Sequence, residues 1–255
     1  MPQMYEIGKW RELASGRKID FRLELPRTAL VCVDLQRKTC DRHSPRGFSQ
    51  TIAKSQPELA DAYFARVEQQ VVPNVQRLQA FFRQRGARVV HFAVGPELRD
   101  AADVPFAFRQ VQAGGLGVTI TSSDPEYQIC EQVAPVDGEP VIHKVTMGGF
   151  TGTGAEALFR NLGIDTLVLV GGHTHACVEA TGRGAADLGF KVAVVEDAVV
   201  NYMPLMHDAA MINFAGFIGR VATTDEVLAE LGGASAGRRP AAGAAQAFQG
   251  RTRPS

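Results

Sequence analysis

Short, wholly apolar runs alternate along this chain with longer segments whose apolar residues recur at helical spacing. Thr28-Ala-Leu-Val-Cys-Val-Asp34 is the first such run, rich in aliphatic residues and ended by an acid. A run of that length with no polar face suits a strand buried inside a parallel sheet. Residues 87–94 and 166–170 repeat the pattern, and 140–143, 191–195 and 217–221 complete the strand candidates. Between them, Val75, Leu78, Phe81 and Phe82 lie on one face of a helix over 73–85, with Gly86 where it would stop. Pro73 fits a first helical turn, so the helical-looking segment 58–71 is expected to be separate or kinked there. Helices are also expected over 153–162 (closed by Gly163), 176–188 (closed by Gly189) and 204–214. Segment 35–56 is polar and turn-rich and reads as a loop, while 95–128 shows no clear period and holds the loop-like Gly114-Gly115-Leu116-Gly117. Strands alternating with helices at this spacing predict an α/β fold, a parallel sheet covered on both faces, with right-handed crossovers.

Composition adds bounds. The 255 residues are 45% hydrophobic and carry 27 basic against 27 acidic side chains. That excludes a mostly disordered chain, and the balanced charge argues against a general nucleic-acid binder. No apolar run reaches the roughly 20 residues that span a bilayer, and the first residues lack an apolar signal core. Four cysteines without a CxxC are too sparse for a disulfide scaffold. The expectation is a cytoplasmic protein with an N-terminal arm (1–25), one domain (26–231) and a disordered tail (232–255) rich in Gly, Ala and Arg.

In open α/β sheets ligands bind beyond the carboxyl ends of the strands. Three features converge on that edge: Asp34, the His143-Lys144 pair, and Gly171-Gly172-His173-Thr174-His175-Ala176-Cys177, which leaves the most apolar strand and enters a helix. Cys177 falls in the first helical turn, where free N–H groups and the helix dipole favour a thiolate and can hold an oxyanion. A nearby Lys144 would favour that thiolate further, and Asp34 could take the thiol proton. Taken singly, each has a plainer reading: a small buried cysteine, a strand-end acid, a surface lysine. Cys32, Cys40 and Cys130 receive only the plain reading. His173 and His175, with His91 or Asp34, could form a metal site, but pocket wall or substrate contact is preferred.

Read together, TALVCVDLQ (28–36), the block 143–198 from HKVTMGGF to VVEDA, and AAMINFAGFIGRV (209–221) resemble the isochorismatase-like cysteine hydrolases. The resemblance implies a three-layer αβα fold on a central parallel, Rossmann-like six-stranded sheet. It implies Cys177 as nucleophile, Asp34 as acid/base, Lys144 as the charge partner of both, and an oxyanion hole from the backbone N–H groups of His173 and Cys177. A cis peptide is implied at Gly172-His173, and Gln36, Arg37, Phe150 and His175 as substrate contacts. No Asp-x-His set follows Asp34, which argues against the zinc-dependent nicotinamidase branch, and the cysteine argues against vinyl-ether cleavage. The implied activity is hydrolysis of a small linear amide or ureide through a thioester, as in ureidoacrylate amidohydrolase and biuret hydrolase, with no metal or cofactor. A cysteine hydrolase or acyl transferase acting on another small acyl substrate, or an inactive small-ligand-binding protein on the same fold, remains an alternative. The partner is a small-molecule substrate, and a homodimer or homotetramer is expected. Where many members read Asn-Asp-Phe after the glutamine, this chain has Arg37-Lys38-Thr39, a basic pair that could bind a substrate carboxylate or stand in solvent.

Overall fold

A computed structural model describes residues 10–14, 19–111 and 119–233. The glycine-rich stretch at 114–117 and nearly all of the expected tail lie outside the described residues. Six strands, β1 (Thr28–Val33), β2 (Arg88–Val94), β3 (Val141–Lys144), β4 (Thr166–Gly172), β5 (Lys191–Val200) and β6 (Arg220–Ala222), form one sheet in the order β3-β2-β1-β4-β5-β6. Every pairing is parallel, so the central strands are covered on both faces, as their uninterrupted apolar runs require. On β1, Ala29, Val31 and Val33 face a layer built from α1 (Trp10–Leu13), α7 (Ala155–Asn161), α8 (Glu179–Asp187) and α9 (Pro204–Asn213). Leu30 and Cys32 face the other layer, α4 (Pro57–Arg66), α5 (Val72–Gln84) and α10 (Thr224–Leu231). Among the described residues no helix is long and apolar enough to cross a membrane.

Several elements depart from the sequence expectations for identifiable reasons. The stretch 35–56 contains a one-turn helix, α2 (Arg37–Cys40), and a longer one, α3 (Phe48–Ser55). In α2 the Gln36 carbonyl accepts from both Thr39 and Cys40 N–H groups, at 2.9 Å each. The expected break at Pro73 is a π-turn, Val67–Val71, that joins α4 to α5. There the Val72 N–H reaches back to the Val67 carbonyl, and the wider turn makes room for the proline ring that a regular helix would exclude. β5 continues past 195 because its two acids turn outward: Glu196 accepts from Trp10 Nε1 at 2.9 Å, and Asp197 Oδ1 accepts from Thr224. The expected last strand over 217–221 starts later than its apolar run, at Arg220. Phe214–Ile218 continues α9 as a π-turn, Phe214 and Ile218 are buried beneath α8, and β6 begins only at Arg220.

Candidate active site

Strand order assembles the site. β1, β3 and β4 all point their carboxyl ends the same way, so Asp34, Lys144 and the turn after Gly172 meet at one sheet edge. Asp34 follows β1 with φ 52, a left-handed conformation rare for a non-glycine residue, and its N–H donates to the Phe92 carbonyl at 3.1 Å. The carboxylate is 3% exposed, and its Oδ2 lies 2.8 Å from Lys144 Nζ. Lys144, 1% exposed, also donates to the Thr146 and Met147 carbonyls at 3.0 and 2.9 Å. Burial works against its charge, but Asp34 and Cys177 hold the ammonium above its ordinary value.

Cys177 sits on a π-turn, Thr174–Val178, that runs straight into α8. The turn is reached through Gly171, whose φ of +119 and close approach to β1 leave no room for a side chain: a Cβ would lie 2.1 Å from the Val33 carbonyl oxygen. The following Gly172–His173 peptide is cis. The His173 carbonyl accepts from Ala176 and Val178 at 3.0 and 3.3 Å, and the Cys177 N–H between them is not one of its partners. Thr181 ties the nucleophile's helix to the loop after Lys144. Its hydroxyl donates to the Cys177 carbonyl at 2.6 Å and accepts from Gly149 N–H at 3.0 Å.

The thiol lies in hydrogen-bonding reach of both Asp34 and Lys144. Burial pushes it up to about 12, Lys144 pulling it back and Asp34 adding to the rise. Burial thus works against the resting thiolate that a helix start and a lysine suggest. It outweighs both, and the proton must move to Asp34 as attack begins.

The remaining sequence candidates are scattered in their placement. Gln36 is a brace: its Oε1 accepts from Val94 N–H at 3.0 Å and its Nε2 donates to the Tyr127 carbonyl at 2.6 Å. Phe150 packs in an aromatic cluster with Phe92, Phe159 and Phe190, at centroid distances from 5.5 to 6.4 Å. Arg37 is exposed, 3.8 Å from Asp41, while its neighbour Lys38 is buried. His175 accepts from Asn201 Nδ2 at 2.7 Å, and the His173 and His175 rings both meet Tyr202 edge-on. His173 Nε2 also lies 3.1 Å from the Tyr63 hydroxyl. His91 is remote from that pair in its contacts, its Nε2 standing 3.4 Å from Glu139. Tyr63, Asn201 and Tyr202 were not anticipated. The last two directly follow β5 at the same sheet edge, a place that the strand rule marks once β5 is read to its full length.

Comparison with known proteins gives a family model described as "Isochorismatase domain" matching residues 28–226. N-carbamoylsarcosine amidase from an Arthrobacter species is 27% identical over 162 residues, 62% of this chain and 60% of that protein. Ureidoacrylate amidohydrolase from Caulobacter segnis is 34% identical over 100 residues, 39% of this chain and 42% of that one. A crystal structure of a cysteine hydrolase from Pseudomonas syringae pv. phaseolicola superposes with a TM-score of 0.68 at 21% identity, over 86% of this chain and 99% of that one, which shows a common fold.

Proposed function

The chain belongs to the isochorismatase family of hydrolases, and from that premise we propose that it cleaves the C–N bond of a small linear amide or ureide by cysteine catalysis. One observation carries the reading: a buried Asp34–Lys144 pair at 2.8 Å with the Cys177 thiol within reach of both, at the start of a helix. The amidase names among the relatives support the bond type.

In the proposed reaction, Asp34 takes the thiol proton as Cys177 Sγ attacks the carbonyl carbon. Lys144 offsets the negative charge as it moves from carboxylate to sulfur. The oxyanion is held by the Cys177 and His173 N–H groups, which cost no reorganisation because the backbone already fixes them. Asp34 returns its proton to the departing nitrogen, the C–N bond breaks, and a thioester remains. A water then gives its proton to Asp34 and attacks the thioester carbon. Release of the acid restores the thiol, the sulfur recovering its proton from Asp34. His175 on the nucleophile's turn, His173 just before it and Tyr202, edge-on to both rings, are assigned to substrate contact. Gln36 and Phe150 are assigned supporting roles, the one bracing the ends of β1 and β2, the other packing beneath the loop after Lys144.

The test is ammonia release from a panel of ureides, amic acids and nicotinamide, wild type beside Cys177→Ala. Release by the wild type that disappears in the variant is expected. Release that persists in Cys177→Ala, or none from any panel member by either protein, would overturn the reading.

A further inference from the structure

The proposed mechanism leaves one buried cation at the site without a task. Lys38 lies on α2, just after Asp34, and is only 6% exposed. Its ammonium donates to the Val94 carbonyl at the end of β2 and stands 5.6 Å from the centroid of the Tyr127 ring. Gly47 closes over its backbone, with room for no side chain: a Cβ there would lie 2.7 Å from the Lys38 carbonyl oxygen. The charged and titratable groups that act on it are Asp34, Cys177 and Lys144, the same three that form the catalytic set. Among the described residues no carboxylate forms an ion pair with it, since Asp34, the one acid facing it, is engaged by Lys144.

Two buried lysines thus share this edge with one buried carboxylate, and that carboxylate is paired with Lys144 and not with Lys38. Buried charges are almost always paired, because the cost of removing an ion from water is met only by a counter-charge or a full set of hydrogen bonds. One carbonyl and an aromatic ring 5.6 Å away fall short of that for an ammonium with three donors. We propose that the absent counter-charge is the substrate's, and that Lys38 binds a carboxylate carried by the amide or ureide. This rests on the amidohydrolase reading and narrows its substrates to small ureido acids and amic acids. Of the basic pair that follows Gln36, only Lys38 is placed for the task. Arg37 is exposed and directed at Asp41.

The test uses matched pairs that share the scissile group and differ in the carboxylate alone: ureidopropionate against propylurea, and succinamate against butyramide. The wild type is expected to favour the acid of at least one pair in kcat/KM. Lys38→Met is expected to lower that acid-to-neutral ratio by about tenfold or more, the scale of a charge-assisted hydrogen bond, and Lys38→Arg to recover part of it. Because the ratio is taken within one protein, general damage to folding or catalysis cancels. A ratio unchanged in Lys38→Met, or a wild type that prefers the neutral members, would overturn the proposal. If no compound is turned over, the amidohydrolase reading fails, and calorimetric binding of the two acids to Cys177→Ala and to Cys177→Ala/Lys38→Met decides the carboxylate site. Binding that needs Lys38 supports it, and no binding, or binding that ignores Lys38, refutes it.

Discussion

A lysine kept for a ligand should cost the folded protein stability, and Lys38 allows that cost to be worked out. Burial lowers its ammonium from 10.5 to about 8, Asp34 offsetting part of the fall. A factor of ten in proton affinity is about 1.4 kcal/mol, so the charged form at pH 7 costs the fold about 3 kcal/mol. Replacement by methionine removes the charge and keeps an unbranched apolar stem. It also strips the Val94 carbonyl of a donor, which costs about 1 kcal/mol. The net expectation is that Lys38→Met stabilises by about 2 kcal/mol at pH 7, or about 4–8 °C in Tm for a domain of this size. The sign with pH follows from linkage. The folded lysine sheds its proton near 8 and the unfolded one near 10.5, so the wild type gains stability over that interval. The advantage of the variant therefore shrinks toward zero by about pH 10, while groups common to both proteins cancel in the difference. Urea unfolding of both proteins at pH 7 and pH 10 measures it. A variant less stable than wild type at pH 7, or an advantage equal at the two pH values, would refute the picture of a buried cation without a counter-ion.

The same charge count orders two further variants. Asp34→Asn leaves Lys38 and Lys144 buried with no anion between them and should cost about 3–5 kcal/mol, whereas Lys144→Met leaves Asp34 with Lys38 nearby and should cost less. Equal losses in chemical denaturation would mean that Lys38 does not feel Asp34. At the entrance to the nucleophile's turn, Gly171→Ala should cost more than about 3 kcal/mol, since its Cβ would fall 2.1 Å from the Val33 oxygen. Gly163→Ala is the control: its φ is also positive, but nothing lies within 4 Å, and about 1 kcal/mol is expected, urea unfolding of the two glycine variants measuring the difference.

The layers of this fold were legible wherever burial left an unbroken apolar run. β1, β2 and β4 lie against neighbours on both faces and both edges, so nearly every position in them is apolar and their limits fall within two residues of the expected ones. β5 was cut short by Glu196 and Asp197, because a polar pair in a run signals its end unless tertiary partners accept it. Those partners, Trp10 and Thr224, lie on α1 and α10, too distant in sequence for any local window to contain. The Phe214–Ile218 stretch was ambiguous for the opposite reason: a short apolar run suits a strand or a buried helical turn equally. α10 was missed although its signal is local. Thr223 and Glu226 form a capping box, with Glu226 N–H bonded to the threonine hydroxyl and the glutamate reaching back to Thr223 N–H.

The site divides along the same line. Three residues that end or follow strands of one parallel sheet share its carboxyl edge, and that argument needs only the reading of a parallel sheet, which is why Asp34, Lys144 and Cys177 could be grouped from sequence. Direction within a loop has no such guide. Arg37 and Lys38 are adjacent, both basic and both on one turn of helix, where consecutive side chains point about 100° apart. One must turn toward the sheet edge and the other away from it. What selects Lys38 is a set of contacts from elsewhere: the Val94 carbonyl, the Tyr127 ring and the Gly47 backbone. None of the three has a local signature, yet together they decide the net charge of the buried site. A sequence supplies the balance of charges over the whole chain, here zero, but chemistry at this site responds to the few that packing withdraws from water. Here they are two lysines and one acid, and the lysine without an ion pair is the feature from which a negatively charged substrate is proposed.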